Sequence, residues 1–401
     1  MDETEVRIEK LVYGGKGLAR INGQVVFVPF TLPGEKVRIH ITKKHRDYLE
    51  GEVIEVVEPS SSRIAPDCNY FGKCGGCQIS HASYEHQLQT KVRILKETLT
   101  RSTIRFPEPE VVPGSPFQYR HRAQLKYSAR RRQLGFYQTG SNQIVDIQKC
   151  LCLTSGLNQL MVDLRNELAS TPIQNLSEIE LYENESGETA AYFNSKIPPE
   201  FRNRLSTRTR VFAADDVNQT GLMLKFRDAE FPMRPDIFLQ VNPGLWKAMI
   251  QEVESHFQKK ASSVVAEFYC GAGFFTVPIA PHVQKIYATE ENKKAIEFAK
   301  AHHKEKNIDW ILARAEEYKI PNDVTAVVVD PPRGGLHKNL TAQLLRKRPN
   351  QITYISCDPT SLARDLKQLS SAYNVKRLVL LDLFAQTYHF ETIALLNASA
   401  V

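Results

Sequence analysis

The stretch SVVAEFYCGAGFFTVPIA, residues 263–280, decides the fold of this chain. An apolar, β-branched run enters a turn held by Gly271 and Gly273, and a second apolar run leaves it. The same succession recurs downstream. KIYATE precedes the helical ENKKAIEFAKAHHKE, AVVVD precedes PPRGG, and QITYISC precedes DPTSLARDLKQLSS. VKRLVLLDLF and TIALLNA close the chain as two more strands. Alternation of helices with continuous apolar strands predicts a parallel, doubly wound α/β sheet from about residue 236 onward. Such sheets bind ligands beyond the carboxyl ends of their strands, and there lie Gly271, Glu290, Asp330 and Cys357.

The preceding residues read differently. At 401 residues the chain is longer than one core usually organises, so two or three domains are expected. Residues 1–58 are a succession of short alternating runs separated by Gly, Asn and Pro turns, as in five-stranded OB-like barrels. Residues 59–63 read as a linker. Residues 81–103 predict an amphipathic helix with Leu88, Val92, Leu95 and Leu99 on one face. Residues 64–80 and 113–235 are assigned to an α+β middle domain, and 81–112 with 236–401 to the Rossmann-like domain. A composition of 42% hydrophobic and 24% charged residues is that of a globular protein. No apolar run has membrane-spanning length and the first residues are acidic, which predicts a cytoplasmic protein without membrane association. The net charge of +7 is modest, but YRHRAQLKYSARRR (119–132) concentrates positive charge without an acid. It reads either as a solvated basic strand pair or as a surface tracking phosphates, with Arg120, His121 and Arg122 as candidate RNA contacts.

Four loop motifs carry chemistry. The turn at 271–273 has Thr276 where a dinucleotide fingerprint wants a third glycine, and no Lys-Ser/Thr pair follows, which excludes a nucleotide P-loop. This favours a nucleoside ligand without pyrophosphate, of which S-adenosylmethionine (SAM) is the usual one. Glu290 ends the next strand, where an acid accepts hydrogen bonds from ribose hydroxyls. A helix N-terminal acid is the alternative, but its spacing of nineteen residues from Gly271 favours the nucleoside site. Asp330, before two prolines that stiffen its loop, is placed to meet a planar heterocycle rather than merely to cap a helix, since its loop faces the same rim as Gly271. Cys357 stands at a strand exit before a helix, where its thiolate is expected to be favoured. Uracil C5 is a weak nucleophile, and a thiolate adding at C6 supplies the electron density that methylation at C5 needs. Cys270 is the better candidate for an inert core thiol. Glu391 opens the last strand and would take the C5 proton, with His389 as the competing base.

Seven cysteines in a chain of this kind point to metal or catalysis rather than to disulfides. Cys68, Cys74 and Cys77 form a C-x5-C-x2-C run, and Cys150 and Cys152 supply further thiols. Thiolate-only ligation suits either zinc or a 4Fe–4S cluster, and spacing alone leaves both open. The spacing is not the CxxxCxxC of radical-SAM enzymes.

With FLQVN (238–242), FYCGAGFFTVPIA, VVVDPPRGG, YISCDPTSLARDL and TYHFE in place, the sequence resembles the SAM-dependent RNA 5-methyluridine methyltransferases that carry an N-terminal TRAM domain and an iron–sulfur cluster. The likeness runs over nearly the whole chain. It implies Cys357 as nucleophile, Glu391 as base and Asp330 as a contact of the target uracil. It implies a cofactor site of Gln240, Phe268, Gly271, Gly273, Glu290 and Asp330. It favours a 4Fe–4S cluster on Cys68, Cys74, Cys77 and Cys150 over zinc, with Cys152 an extra thiol. Two departures stand out: Phe384-Ala385 where the family has Phe-Pro, and His302-His303 where it has Asn-Ala. The implied substrate is a uridine of RNA, 23S ribosomal RNA before the T-loop of tRNA; the oligomeric state is not written in the sequence, and a monomer is assumed. A non-catalytic RNA-binding homologue is the further alternative.

Overall fold

The computed structural model describes residues 3–216, 221–227, 229–257 and 262–399. Its largest sheet has eight strands: β1 (Glu110–Val112), β2 (Val264–Phe268), β3 (Lys285–Glu290), β4 (Ile308–Leu312), β5 (Ala326–Val329), β6 (Gln351–Ser356), β7 (Tyr373–Leu381) and β8 (Glu391–Ala398). Their order across the sheet is β4-β3-β2-β5-β6-β8-β7-β1. All run parallel except β8, which is antiparallel to both β6 and β7. The central strands are buried on both faces, as their unbroken apolar sequences require. One face packs on Trp246, Phe257, Phe274 and Ile279; the other packs on Leu95, Leu99, Leu340, Leu362 and Leu366.

The helix expected over 81–103 spans Tyr84–Arg101, but its buried face is rotated from the expected one. Leu95 and Leu99 are buried together with Gln87, Thr90, Lys91 and Ile94, whereas Leu88 and Val92 are only half-buried. The reason is polar. Lys91 Nζ meets Asp382 Oδ1 at 2.6 Å with both side chains fully buried, and Gln87 exchanges hydrogen bonds with Gln386. A hydrophobic pattern does not foresee a helix whose face is chosen by a buried ion pair.

The first strand-rich unit is a six-stranded sheet wrapped around Val6, Ile8, Val26, Val28, Val37 and Ile39. It has six short strands rather than five, because the ladder breaks between Glu3–Arg7 and Lys10–Leu11. The middle unit is a six-stranded sheet covered by the helix Ser155–Ser170, with Leu125, Leu157, Leu164 and Leu181 in its core. The packing does not divide at residue 235. The hairpin Leu222–Phe226 and Ala229–Met233 buries Leu222, Leu224, Phe231 and Met233 in the same apolar cluster as Trp246 and Phe274. Among the described residues no helix is long and apolar enough to cross a membrane.

Candidate active site

The rim at the carboxyl ends of the strands gathers the residues singled out above. β6 ends at Ser356, so Cys357 is the first residue beyond its ladder. Asp358 then caps the helix Pro359–Leu369, accepting from the backbone N–H groups of Thr360 (2.8 Å) and Ser361 (2.9 Å). β8 lies antiparallel to β6 with Thr392 opposite Ser356. That register sets Glu391, the first residue of β8, across from Cys357 at the same rim. Asp330 leaves the neighbouring β5, and its backbone N–H reaches Phe268 O at 3.4 Å. Three strands, two parallel and one reversed, thus bring thiol and two carboxyls together.

The electrostatics of this trio are set by burial. Asp330 is pushed up to about 7 by desolvation alone. Glu391 is held well above the usual carboxylate range by burial and then by the charge of Asp330, and its Oε2 has no hydrogen-bond partner among the described residues. A buried carboxyl oxygen left without a partner is costly, and substrate atoms are the natural partner for it. Cys357 corrects an expectation. Its position before a helix does not yield a ready thiolate: burial, Glu391 and Asp330 together push the thiol up to about 12, with Arg333 acting the other way. His389, the competing base, is driven down to about 4 by burial and by Arg333, so it is neutral at physiological pH. Cys270 is buried beside the Gly turn, and its thiol is pushed up mainly by desolvation. Glu267, the acid that opens the E-x-x-x-G-x-G turn, lies under it. It is buried with Oε2 unpartnered and sits at about 8, raised by desolvation and by Asp330.

The nucleoside side of the rim is formed by the turn after β2. Gly273 takes φ +97°, and a Cβ there would stand 2.7 Å from the Trp310 ring, so only glycine fits. Glu290, at the end of β3, accepts from Gly271 N (3.0 Å) and Asn292 N (2.8 Å). A cavity of about 300 Å3 opens beside it, lined by Tyr269, Glu290, Glu291, Ala315, Pro332 and Leu336. Phe268 ends β2 beside this turn. Its ring is fully buried in the core against Tyr318, so its side chain is packing. Gln240 is buried, and its carbonyl accepts from Trp246 Nε1 (3.2 Å). His303, one of the unusual histidine pair, is buried; its Nε2 lies 3.0 Å from Ala272 O and its ring packs against Trp310. It supports the turn from beneath. Asp365 escapes a reading of the sequence: its Oδ2 accepts from Leu336 N and Tyr354 Oη, both at 2.7 Å, fastening the loop after Asp330 to the helix after Cys357.

The five other cysteines line one cavity of about 630 Å3, together with Arg120, Lys126 and Lys149. Cys77 and Cys152 Sγ stand 3.8 Å apart. Among the described residues no group of three or more His, Cys, Asp or Glu is drawn in closely enough to hold a single metal ion. The basic segment is less free than its sequence suggests. The adjacent strand pairs Glu180 with Arg122 at 2.8 Å and Glu178 with Lys126, while His121 Nδ1 lies 3.1 Å from Glu183 O. Arg120 is half-buried beside Tyr119. Arg130, Arg131 and Arg132 remain exposed at the hairpin tip.

Comparison with known proteins places the chain in a family. The tRNA (Uracil-5-)-methyltransferase family model matches residues 201–321 and 312–399, and the TRAM domain model matches 2–54. An RNA methyltransferase of Aquifex aeolicus is 34% identical, covering 98% of each chain. The 23S rRNA (uracil(1939)-C(5))-methyltransferase RlmD of Marinomonas sp. is 31% identical over 97% of this chain and 94% of its own. The crystal structure of Pyrococcus abyssi tRNA (uracil-54, C5)-methyltransferase in complex with S-adenosyl-L-homocysteine shares the fold, with a TM-score of 0.79 at 24% identity over 98% of this chain and 100% of that one. By family model, by relatives matched along their whole length and by fold, the chain belongs to the RNA uracil-C5 methyltransferase family and carries a TRAM domain at its N-terminal end.

Proposed function

We propose that this enzyme methylates C5 of a uridine in RNA, 23S-type ribosomal RNA, through a covalent bond from Cys357 to C6 of the base. The observation that carries this reading is the β6–β8 register, which sets Cys357 against Glu391 beside Asp330. The target base leaves its stack to enter the site. Cys357 Sγ bonds to C6 as the C5=C6 electron pair moves toward O4. The thiol proton passes to Asp330, the carboxyl that titrates near neutrality. Once neutral, Asp330 donates a hydrogen bond to a uracil oxygen. Gln240, Gly271, Gly273 and Glu290 would hold S-adenosylmethionine, which would supply an electrophilic methyl group for C5. Glu391 takes the C5 proton, the C6–S bond breaks, and the double bond reforms. The raised basicity of a buried carboxylate suits that last step.

Cys357→Ala is expected to abolish methylation while leaving RNA affinity nearly unchanged. RNA carrying 5-fluorouridine is expected to leave an adduct on Cys357, since fluorine at C5 does not depart as a proton does. A Cys357→Ala enzyme that still methylates sinks the covalent route. Ribosomal RNA is favoured because a relative named for 23S rRNA matches at 31% identity over 97% of the chain. Mass mapping of 5-methyluridine in ribosomal and transfer RNA, from cells with and without the protein, decides it; a loss confined to tRNA would reverse the assignment.

The resemblance to iron–sulfur members of the family supports a 4Fe–4S cluster, rather than zinc, on Cys68, Cys74, Cys77 and Cys150, whose thiols line one cavity. Five thiols, with Arg120, Arg122, Lys126 and Lys149 beside them, suit an anionic, all-thiolate group. Iron and sulfide analysis of protein purified without oxygen checks this; zinc in their place would overturn it. Methyl transfer to carbon requires no electron, so the cluster is assigned a structural or RNA-positioning role in a cytoplasmic enzyme.

A further inference from the structure

We propose that Tyr13, a residue of the TRAM domain, is a positioning residue for the Cys357 nucleophile. The inference rests on the reading of Cys357 given above and adds a part played from another domain. Tyr13 lies in the loop between the strands Lys10–Leu11 and Lys16–Ile21. Its hydroxyl donates to the backbone carbonyl of Cys357 at 3.2 Å, across 344 residues of sequence. Its ring stands edge-on to Tyr388 (5.1 Å, 86°), Phe390 (6.2 Å, 82°) and His389 (6.3 Å, 80°), the residues leading into Glu391. One side chain therefore touches both the turn that bears the thiol and the turn that bears the carboxyl.

The Cys357 carbonyl lies beyond the last paired residue of β6 and before the first turn of the following helix. The orientation of that peptide plane sets the direction of the Cys357 side chain. Burial holds the Tyr13 phenol far above its ordinary range, so it remains a donor at every physiological pH. The loop itself is fixed. Leu11 packs with Leu32, Ile79 and Ala82. Lys10 pairs with Glu97 at 2.5 Å. Gly15 takes φ +77°, and a Cβ there would come within 2.9 Å of Gln78 Cβ and 3.6 Å of Tyr388 Cβ. The domain is thus seated against the catalytic rim, and its hydroxyl bond is part of that rim.

Tyr13→Phe keeps the ring contacts and removes only the hydroxyl. In single-turnover reactions with 5-fluorouridine RNA, the rate of adduct formation at Cys357 is expected to fall about fivefold to tenfold, the worth of one hydrogen bond. The dissociation constant for RNA, the KM and the Tm should match the wild type. Tyr13→Ala, which also removes the ring, should lower both rate and Tm. Two results overturn the proposal: a Tyr13→Phe rate equal to wild type, or a slower rate accompanied by equal drops in Tm and RNA affinity, which marks a merely structural role. The wild-type reaction is the control. If it forms no adduct on Cys357, the nucleophile assignment itself fails, an outcome distinct from failure of Tyr13 alone.

Discussion

At the level of single residues, the site is built from groups held away from their ordinary ionisation. Cys357, pushed up to about 12 by burial, Glu391 and Asp330, is a protonated thiol at neutral pH. Its alkylation by iodoacetamide should be slow at pH 7 and rise steeply above pH 9. Glu391→Gln removes one of the charges opposing the thiolate, so the rise should move to lower pH. The same variant should lower turnover by roughly 10²–10⁴-fold, the usual contribution of a general base, and accumulate RNA bound to Cys357. Mass mapping of the alkylated cysteine and denaturing gels of the RNA complex check the two halves. Asp330 makes a second prediction. Its carboxyl rises from 3.8 to about 7 on folding, so the folded state binds more protons than the unfolded one between those values. Stability should therefore fall as pH rises through that window. Asp330→Asn should raise the Tm of the free protein at pH 8 by on the order of a few degrees and leave it little changed at pH 4. Equal effects at both pH values would refute the assignment to this carboxyl.

At the level of elements, the arrangement depends on a buried polar anchor. The loop between β7 and β8, which leads to Glu391, is held by Lys91, whose Nζ reaches Asp382 Oδ1 at 2.6 Å and Phe384 O at 3.1 Å. Gln386 adopts φ +69°, and its carbonyl accepts from the backbone N–H groups of Gln78 and Ile79, both at 3.1 Å. Tyr119 Oη donates to Ala385 O at 2.8 Å. Helix, cysteine loop and middle domain thus meet on one catalytic loop. Lys91→Met leaves Asp382 buried and unpaired, and should destabilise the protein by roughly 3–5 kcal/mol. Replacing both partners with apolar residues should recover much of that stability. Urea titration of the single and double variants measures the difference. The helix Tyr84–Arg101 was legible in the sequence as an element, yet its orientation was not, because apolar spacing says nothing about an ion pair formed 291 residues away.

At the level of the whole molecule, charge distribution matters more than its sum of +7. Arg122 and Lys126 are neutralised by acids on the neighbouring strand, whereas Arg130, Arg131 and Arg132 are exposed. Replacing these three with serine should weaken binding to any RNA. It should also reduce the slope of log K against log salt by about one unit for each phosphate no longer neutralised. An unchanged slope would place the RNA elsewhere on the surface. The TRAM domain and the catalytic rim touch directly through Tyr13.

The sequence by itself determined the doubly wound sheet, the strand tips that carry chemistry and the chain's likeness to uracil-C5 methyltransferases. Continuous apolar strands and Gly- or Pro-fixed turns are local properties, written in neighbouring residues. Only the tertiary structure decided which tips face each other. The reversal of β8 puts Glu391 across from Cys357, the acids of one strand neutralise the arginine and lysine of the next, and burial turns an expected thiolate into a thiol. Those outcomes depend on register and on distance from water, quantities fixed by residues far apart along the chain.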